Sequence, residues 1–393
     1  YDSGKKILLP SSPTVVSSAP AVERNDAGYQ SESDMEKDLL HRLDAEGIKF
    51  EESINDEDSL IANMRLQLES LNGFSFTDDE WVRFVNECIS TTPGDVLRKT
   101  KLMQQEHVVS FKTDDGECVN IRLVDDVNPM RNTLQVIHQY RAESGKRRNR
   151  YDVTILMNGI PSVQIELKRR GVPIREAFNQ IDRYQSESFS SGMGLFDFVQ
   201  IFVISNGTDT RYYPNTVRLD KTSNSRSRRN GSFKGTNHWS DSSNNIIKDI
   251  TAFAETFLSP VSLKMILTRY CVLMKNGRFV VMRPYQICAV EKSLERVKAV
   301  INSGDWDKLA GGFIWHATGS GKTLTAFKLS QVIADYCDGI DKMVFIVDRK
   351  DLDYQTTREF NKFQEGSVNA TINTLTLARQ LESDSVEDRI IVT

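Results

Sequence analysis

Residues Arg150 to Tyr184 read RYDVTILMNGIPSVQIELKRRGVPIREAFNQIDRY. Two apolar, β-branched runs flank Asn158-Gly159, a dipeptide that closes tight hairpins. A Gly-Val-Pro break then leads into a segment with apolar residues at helical spacing. Asp152 stands on the first strand; Glu166 and Lys168 stand two apart on the second and so share a face. Val163, Ile165 and Leu167 form the opposite, apolar face. Asp152 and Glu166 offer hard oxygen donors suited to a divalent cation, and Lys168 suits a role in offsetting phosphate charge or orienting a water. The bare triplet is a weak signal, because a solvated hairpin face carries the same residue types.

Strand parity sharpens the reading. A regular two-residue turn at Asn158-Gly159 would pair Asp152 with Ile165 and send Glu166 to the other face. A shared site therefore requires one extra residue, expected around Gly159 to Pro161, because Pro161 cannot donate to a ladder.

The neighbourhood adds weight. Gln180 and Tyr184 fall four apart on the next helix, and basic residues cluster before the hairpin (Lys146, Arg147, Arg148, Arg150) and after it (Arg169, Arg170). Such a cluster supplies phosphate contacts without reading sequence. Asp152-x13-Glu166-x-Lys168 resembles the PD-(D/E)xK nucleases, with Tyr151 where the family name has Pro, and Gln180-x-x-x-Tyr184 resembles the signature of their RecB-like members. The resemblance implies Asp152, Glu166, Lys168, Gln180 and Tyr184 as catalytic residues, with metal at Asp152 and Glu166. It also implies a further acidic residue near the metal, for which Glu36 is the candidate. The competing reading of Glu36 is a capping box with Ser33 at the start of SESDMEKDLLHRL.

A second motif lies in GGFIWHATGSGKTLTAFKLS, Gly311 to Ser330. FIW reads as a strand, ATGSGKT as a small-residue loop, and the rest as a helix. Thr318, Gly319, Ser320 and Gly321 let amides close on phosphate oxygens, Lys322 reaches the β- and γ-phosphates, and the Thr323 hydroxyl binds Mg²⁺. His316 stands where the general pattern has Gly. In MRPYQ, Gln286 opens a helix with an amide able to read an adenine edge, and MVFIVDRK brings Asp348, Arg349 and Lys350 to a strand end, where open α/β sheets bind ligands. Together these resemble the first motor domain of superfamily 2 helicases. The acidic clusters NDEDS and TDDEW lie too far upstream to be the acidic box of such a motor, and RIIVT reads as the strand before it, so the expectation is a partial motor.

The rest of the chain sets bounds. Its 393 residues suffice for two or three domains. No apolar run reaches the length of a membrane span, and no signal peptide is seen; five scattered cysteines fit thiols in a reducing cytoplasm. A net charge of −4 does not advertise nucleic-acid binding, so the local basic clusters carry that reading. The first residue is Tyr, from which a longer gene product is expected. We expect a flexible, Ser/Pro/Ala-rich arm over 1–28, a nuclease domain over 29–258, and an incomplete RecA-like motor domain over 259–393. The fold class is α/β, a PD-(D/E)xK domain followed by a partial motor with a parallel sheet. KTSNSRSRRNGSFK, Lys221 to Lys234, reads as an exposed basic loop.

In this order the motifs resemble the R subunit of type I restriction–modification enzymes. That resemblance implies Mg²⁺-dependent cleavage of double-stranded DNA, ATP-driven translocation, and methyltransferase and specificity subunits as partners. A repair or recombination helicase–nuclease is the alternative enzyme, distinguished by having no methyltransferase partner. A non-catalytic docking module is the alternative outside enzymes, and metal binding would discriminate it.

Overall fold

The computed structural model describes residues 14–18, 31–90, 95–142, 148–216, 233–304, 311–337, 339–347, 350–363, 369–370, 374–385 and 388–392. The expectations for most of the arm, for Lys146 and Arg147, for 221–232, and for Asp348 and Arg349 lie outside the described residues. Two compact units emerge, one over Val15–Leu273 with Gly277–Arg283, the other taking Met274–Asn276 and Pro284 onward.

The first unit opens with helix α1 (Glu32–Ala45), whose N-cap is Ser31, not Ser33; the Ser31 hydroxyl accepts from the Asp34 amide. Glu36 thus sits one turn inside the helix on its buried face, and the capping reading of Glu36 is corrected. Strand β1 (Lys49–Phe50) is followed by α2 (Glu57–Asn72), closed at its start by an Asp56–Ser59 capping box and at its end by left-handed Gly73. The expected strands HVVSFKT and CVNIRLV form a separate antiparallel hairpin, Val108–Lys112 with Cys118–Arg122.

Five further strands follow: β2 (Leu134–Ala142), β3 (Asn149–Met157), β4 (Ile160–Leu167), then, after helix α3 (Arg175–Glu187), β5 (Ile201–Ser205) and β6 (Thr210–Pro214). The six strands line up in chain order. β1 and β2 are parallel, as are β4 and β5, and the other neighbours are antiparallel. A parallel pair needs a crossover, and α3 provides it between β4 and β5. Every residue of β4 is buried, which fits a strand covered on both faces.

The turn between β3 and β4 is two residues long, with Asn158 at φ 53° and Gly159 at φ 78°. Both central residues are left-handed, as the right-twisted hairpin demands. Asn158 is tied down by its side chain, which accepts from Thr133 N and donates to Leu123 O. A Cβ on Gly159 would come within 2.5 Å of Met64 Cα in α2, so only glycine fits there. The extra residue lies just past the turn: Ile155 pairs with Val163 and Leu156 with Pro161, leaving Ser162 as a bulge. From Val153↔Ile165 the register runs on to place Asp152 opposite Glu166.

The unit continues further than expected. Helix α4 (Pro260–Arg269) and the hairpin of β7 (Cys271–Leu273) with β8 (Phe279–Val281) belong to it, so the boundary falls near Pro284 rather than at 259. Buried Leu263, Ile266 and Leu267 explain this, as does Lys264 Nζ, which donates to Met130 O. The described part of the arm is packed too: Val15 and Val16 are buried, and Ser262 donates to Val15 O. Two β-branched apolar residues outweighed the polar composition around them.

The second unit holds helix α5 (Pro284–Ser303), helix α6 (Lys322–Tyr336), β9 (Met343–Phe345), α7 (Lys350–Phe363), β10 (Asn369–Ala370), α8 (Thr374–Glu382) and β11 (Ile390–Val392). Its three strands are parallel, with β11 central. Phe327 of α6 packs on Phe360 and Phe363 of α7. The segment read as the strand FIW is irregular here, and Phe313 and Trp315 are about nine-tenths exposed. Without a ladder partner among the described residues, its β-branched and aromatic character alone does not make it a strand.

Candidate functional site

The bulge at Ser162 decides the first site. It restores the parity that brings Asp152 and Glu166 to one face, at the end of the central strands. Leu167 N donates to Asp152 Oδ2 at 2.9 Å, so the ladder ends on a side chain instead of a carbonyl. Lys168 Nζ donates to Glu166 Oε1 at 3.0 Å and to Leu167 O at 2.8 Å. Glu32, at the start of α1, lies 3.9 Å from the same ammonium.

Burial then sets the electrostatics. Glu166 is 0 % exposed, which excludes the solvated-hairpin reading. Its carboxyl is pushed well above the ordinary range, first by burial and then by the charge of Asp152. Burial raises Asp152 as well, against the opposing bond from Leu167 N and the charge of Lys168. Burial pulls Lys168 down, but the charges of Glu166 and Asp152 outweigh it and hold the ammonium above its usual pKa.

Glu36 approaches from α1. His138 Nδ1 lies 3.0 Å from its Oε1, and Gln139 Nε2 donates to its Oε2 at 2.6 Å. Burial raises its pKa, and the charge of Asp152 adds to that. Both Glu36 oxygens are thus engaged, and among the described residues no three His, Cys, Asp or Glu side chains are placed to share a metal ion. On α3, Gln180 donates to the Tyr184 hydroxyl, which donates to Arg150 O at 2.8 Å. These two side chains brace the strand carrying Asp152.

The residues fit a divalent cation. Two carboxyls converge in a buried place where Lys168 bonds Glu166 Oε1, and Glu166 Oε2 receives no hydrogen bond. Such an oxygen is costly to bury alone and suits a hard ion.

The second site is the loop before α6. Gly319 (φ 76°) and Gly321 (φ 85°) are left-handed, Lys322 is exposed, and Thr323 is the second residue of the helix. The first-turn amides of α6 have no intrahelical acceptor. Among the described residues, Lys322 Nζ reaches only Ala317 O, at 3.5 Å. Gln286, expected to face a base, is buried, and its amide donates to Ser320 O at 3.0 Å; Tyr285 donates to the same oxygen. Here Gln286 braces the loop. The glycines, Lys322 and the open amides fit a nucleoside triphosphate. What sequence reasoning missed is the pair His138 and Gln139; nothing in IHQYR marks them.

A buried carboxylate pair with its lysine on one unit and a glycine-rich loop opening a helix on the other are the features expected of a nuclease joined to a nucleotide-driven motor. Comparison with known proteins agrees. Residues 25–221 match the family described as type I restriction enzyme R protein N terminus, and residues 285–393 match SWI2/SNF2 ATPase. The chain is 43% identical over 289 residues to the type I restriction enzyme EcoprrI endonuclease subunit of Escherichia coli, covering 74% of this chain and 89% of that protein. It is 38% identical over 364 residues to the SauMSSORF170P endonuclease subunit of Staphylococcus aureus strain MSSA476, covering 91% of this chain and 36% of that protein. The chain therefore spans about a third of the staphylococcal relative's length. This chain belongs to the type I restriction enzyme R proteins, the endonuclease subunits, and carries their ATPase region. The repair-type alternative is not favoured. Among the described residues no single helix is long and apolar enough to cross a membrane.

Proposed function

We propose that this chain cleaves double-stranded DNA with Asp152, Glu166 and Lys168, and that in the whole protein cleavage is coupled to ATP-driven translocation begun at Thr318–Thr323. The bulge at Ser162 carries the reading, because without it the two carboxyls could not face one ion. Asp152 and Glu166 would hold the cation, which we take to be Mg²⁺. When bound, it supplies Lewis acidity at the phosphate and a more acidic water. Lys168, its pKa held up by its neighbours, stays protonated at neutral pH and offsets charge on the scissile phosphate. Gln180 and Tyr184 fix the strand end at Arg150 O, and Arg150, Arg169 and Arg170 supply phosphate contacts.

Methyltransferase and specificity subunits are the proposed partners, with sequence recognition residing in the latter, and the cytoplasm is the proposed compartment. The test is substitution: Asp152→Ala, Glu166→Ala or Lys168→Ala should each lower DNA cleavage by the assembled complex at least about a hundredfold, while ATP hydrolysis continues. Full cleavage by any two of them overturns the assignment.

A further inference from the structure

Glu166 Oε2 and Gln139 Oε1 are among the buried oxygens of the nuclease unit that accept no hydrogen bond. They belong to one row of the sheet. Gln139 lies between the pairs His138↔Val153 and Tyr140↔Tyr151, which puts it opposite Asp152. Asp152 in turn stands opposite Glu166, one step beyond Val153↔Ile165. Asp152 and Glu166, opposed on regular antiparallel strands, face the same way and lie close together. Gln139 is tied to Asp152 through Glu36: its amide holds the Glu36 carboxylate, which lies close enough to Asp152 to be raised by its charge.

The backbone at Gln139 is unusual as well. Its φ is 51°, a left-handed conformation in the middle of a nine-residue strand. Such conformations are rare for a residue with a Cβ and persist where the surroundings enforce them. Here the kink lets two consecutive residues, His138 and Gln139, reach the same carboxylate of Glu36, which a regular strand forbids. The bond to Glu36 also sets the amide. A carboxylate accepts, so the Gln139 nitrogen faces Glu36 and the oxygen is left for something else.

We propose that Gln139 Oε1 is a third oxygen ligand of the divalent cation held by Asp152 and Glu166. Amide oxygens are ordinary ligands of hard cations. Glu36 is then a residue that orients the Gln139 amide, which explains why both of its own oxygens are occupied. The proposal rests on the reading of Asp152 and Glu166 as a cation pair.

The test is Mn²⁺ binding by the protein without DNA or nucleotide, followed by electron paramagnetic resonance of the free ion. Gln139→Gly removes the amide while suiting the left-handed backbone, so the fold has no conformational reason to fail. It should weaken Mn²⁺ binding about tenfold, in the otherwise unchanged protein and equally in a Glu36→Gln background. Unchanged affinity in Gln139→Gly, with binding lost in Asp152→Ala, overturns the ligand and leaves the carboxylate pair standing. A loss that disappears in the Glu36→Gln background makes Gln139 a tether of Glu36 only, and overturns the ligand too. Wild-type affinity in Asp152→Ala removes the carboxylate pair itself.

Discussion

Glu166 is fully buried, bonded to Lys168, and raised in pKa by its surroundings, whereas Lys322 is exposed and lies 3.5 Å from the Ala317 carbonyl. The carboxylate site sits in the middle of a six-stranded sheet; the glycine loop stands at a helix start, after a segment with exposed aromatics. Like charges that must share one ion repel, so only a rigid scaffold keeps them together. A loop that must wrap a phosphate chain needs free amides and room to close. On the proposed reading, the first site stands built without its ligand, whereas the second leaves its amides open for one.

Deleting Ser162 breaks the contrast most severely. Removing the bulge shifts β4 by one residue and turns Glu166 to the other face. Mn²⁺ binding and DNA cleavage should both fall below detection, and a bulge-free variant that still binds Mn²⁺ would show that register does not assemble the site. Lys322→Ala comes next. It should lower ATP hydrolysis of the whole protein by at least about a hundredfold and leave Mn²⁺ affinity of the nuclease unit unchanged; a matching fall in Mn²⁺ affinity would show that the two sites do not act separately.

The smallest effect concerns a buried charge outside both sites. Lys99 is 0 % exposed and donates to Gly194 O at 2.6 Å, over the Phe198 ring. Burial lowers its pKa to about 8, against the nearby charges of Asp197, Asp95 and Glu57. The fold therefore binds fewer protons than the unfolded chain between pH 8 and 10.5, and stability rises with pH across that window. Relative to Lys99→Met, the protein should gain about 3 kcal/mol from pH 8 to 10.5. Urea unfolding at pH 7, 9 and 10.5 reads this, and a flat difference would refute it.

Much of the first site was legible because its logic is arithmetic. Strand period and the Asn158-Gly159 turn demanded an extra residue, and it lies at Ser162, next to the stretch expected. Gln139 was not legible, because a left-handed residue inside a strand has no signature unless it is glycine. The FIW segment misled for the opposite reason, since strand character without a neighbour to pair with makes no strand. The boundary at Pro284 depended on which surface covers Leu263 and Ile266, and periodicity reports that a face is apolar without naming its partner.

The hairpin tip has a consequence for how this enzyme can vary. Gly159 lies against the backbone of α2, and the Asn158 side chain is bonded to Thr133 N and Leu123 O, so the tip is a fixed point. At the other end, the bond from Leu167 N to Asp152 Oδ2 fixes the strand mouth. Between two fixed points the thirteen residues separating Asp152 from Glu166 act as a ruler. The tip cannot grow by an inserted residue without pushing into α2, so the odd residue has to be accommodated inside the strand. The distance along the chain between the two acids is therefore as much a part of the proposed cation site as the acids.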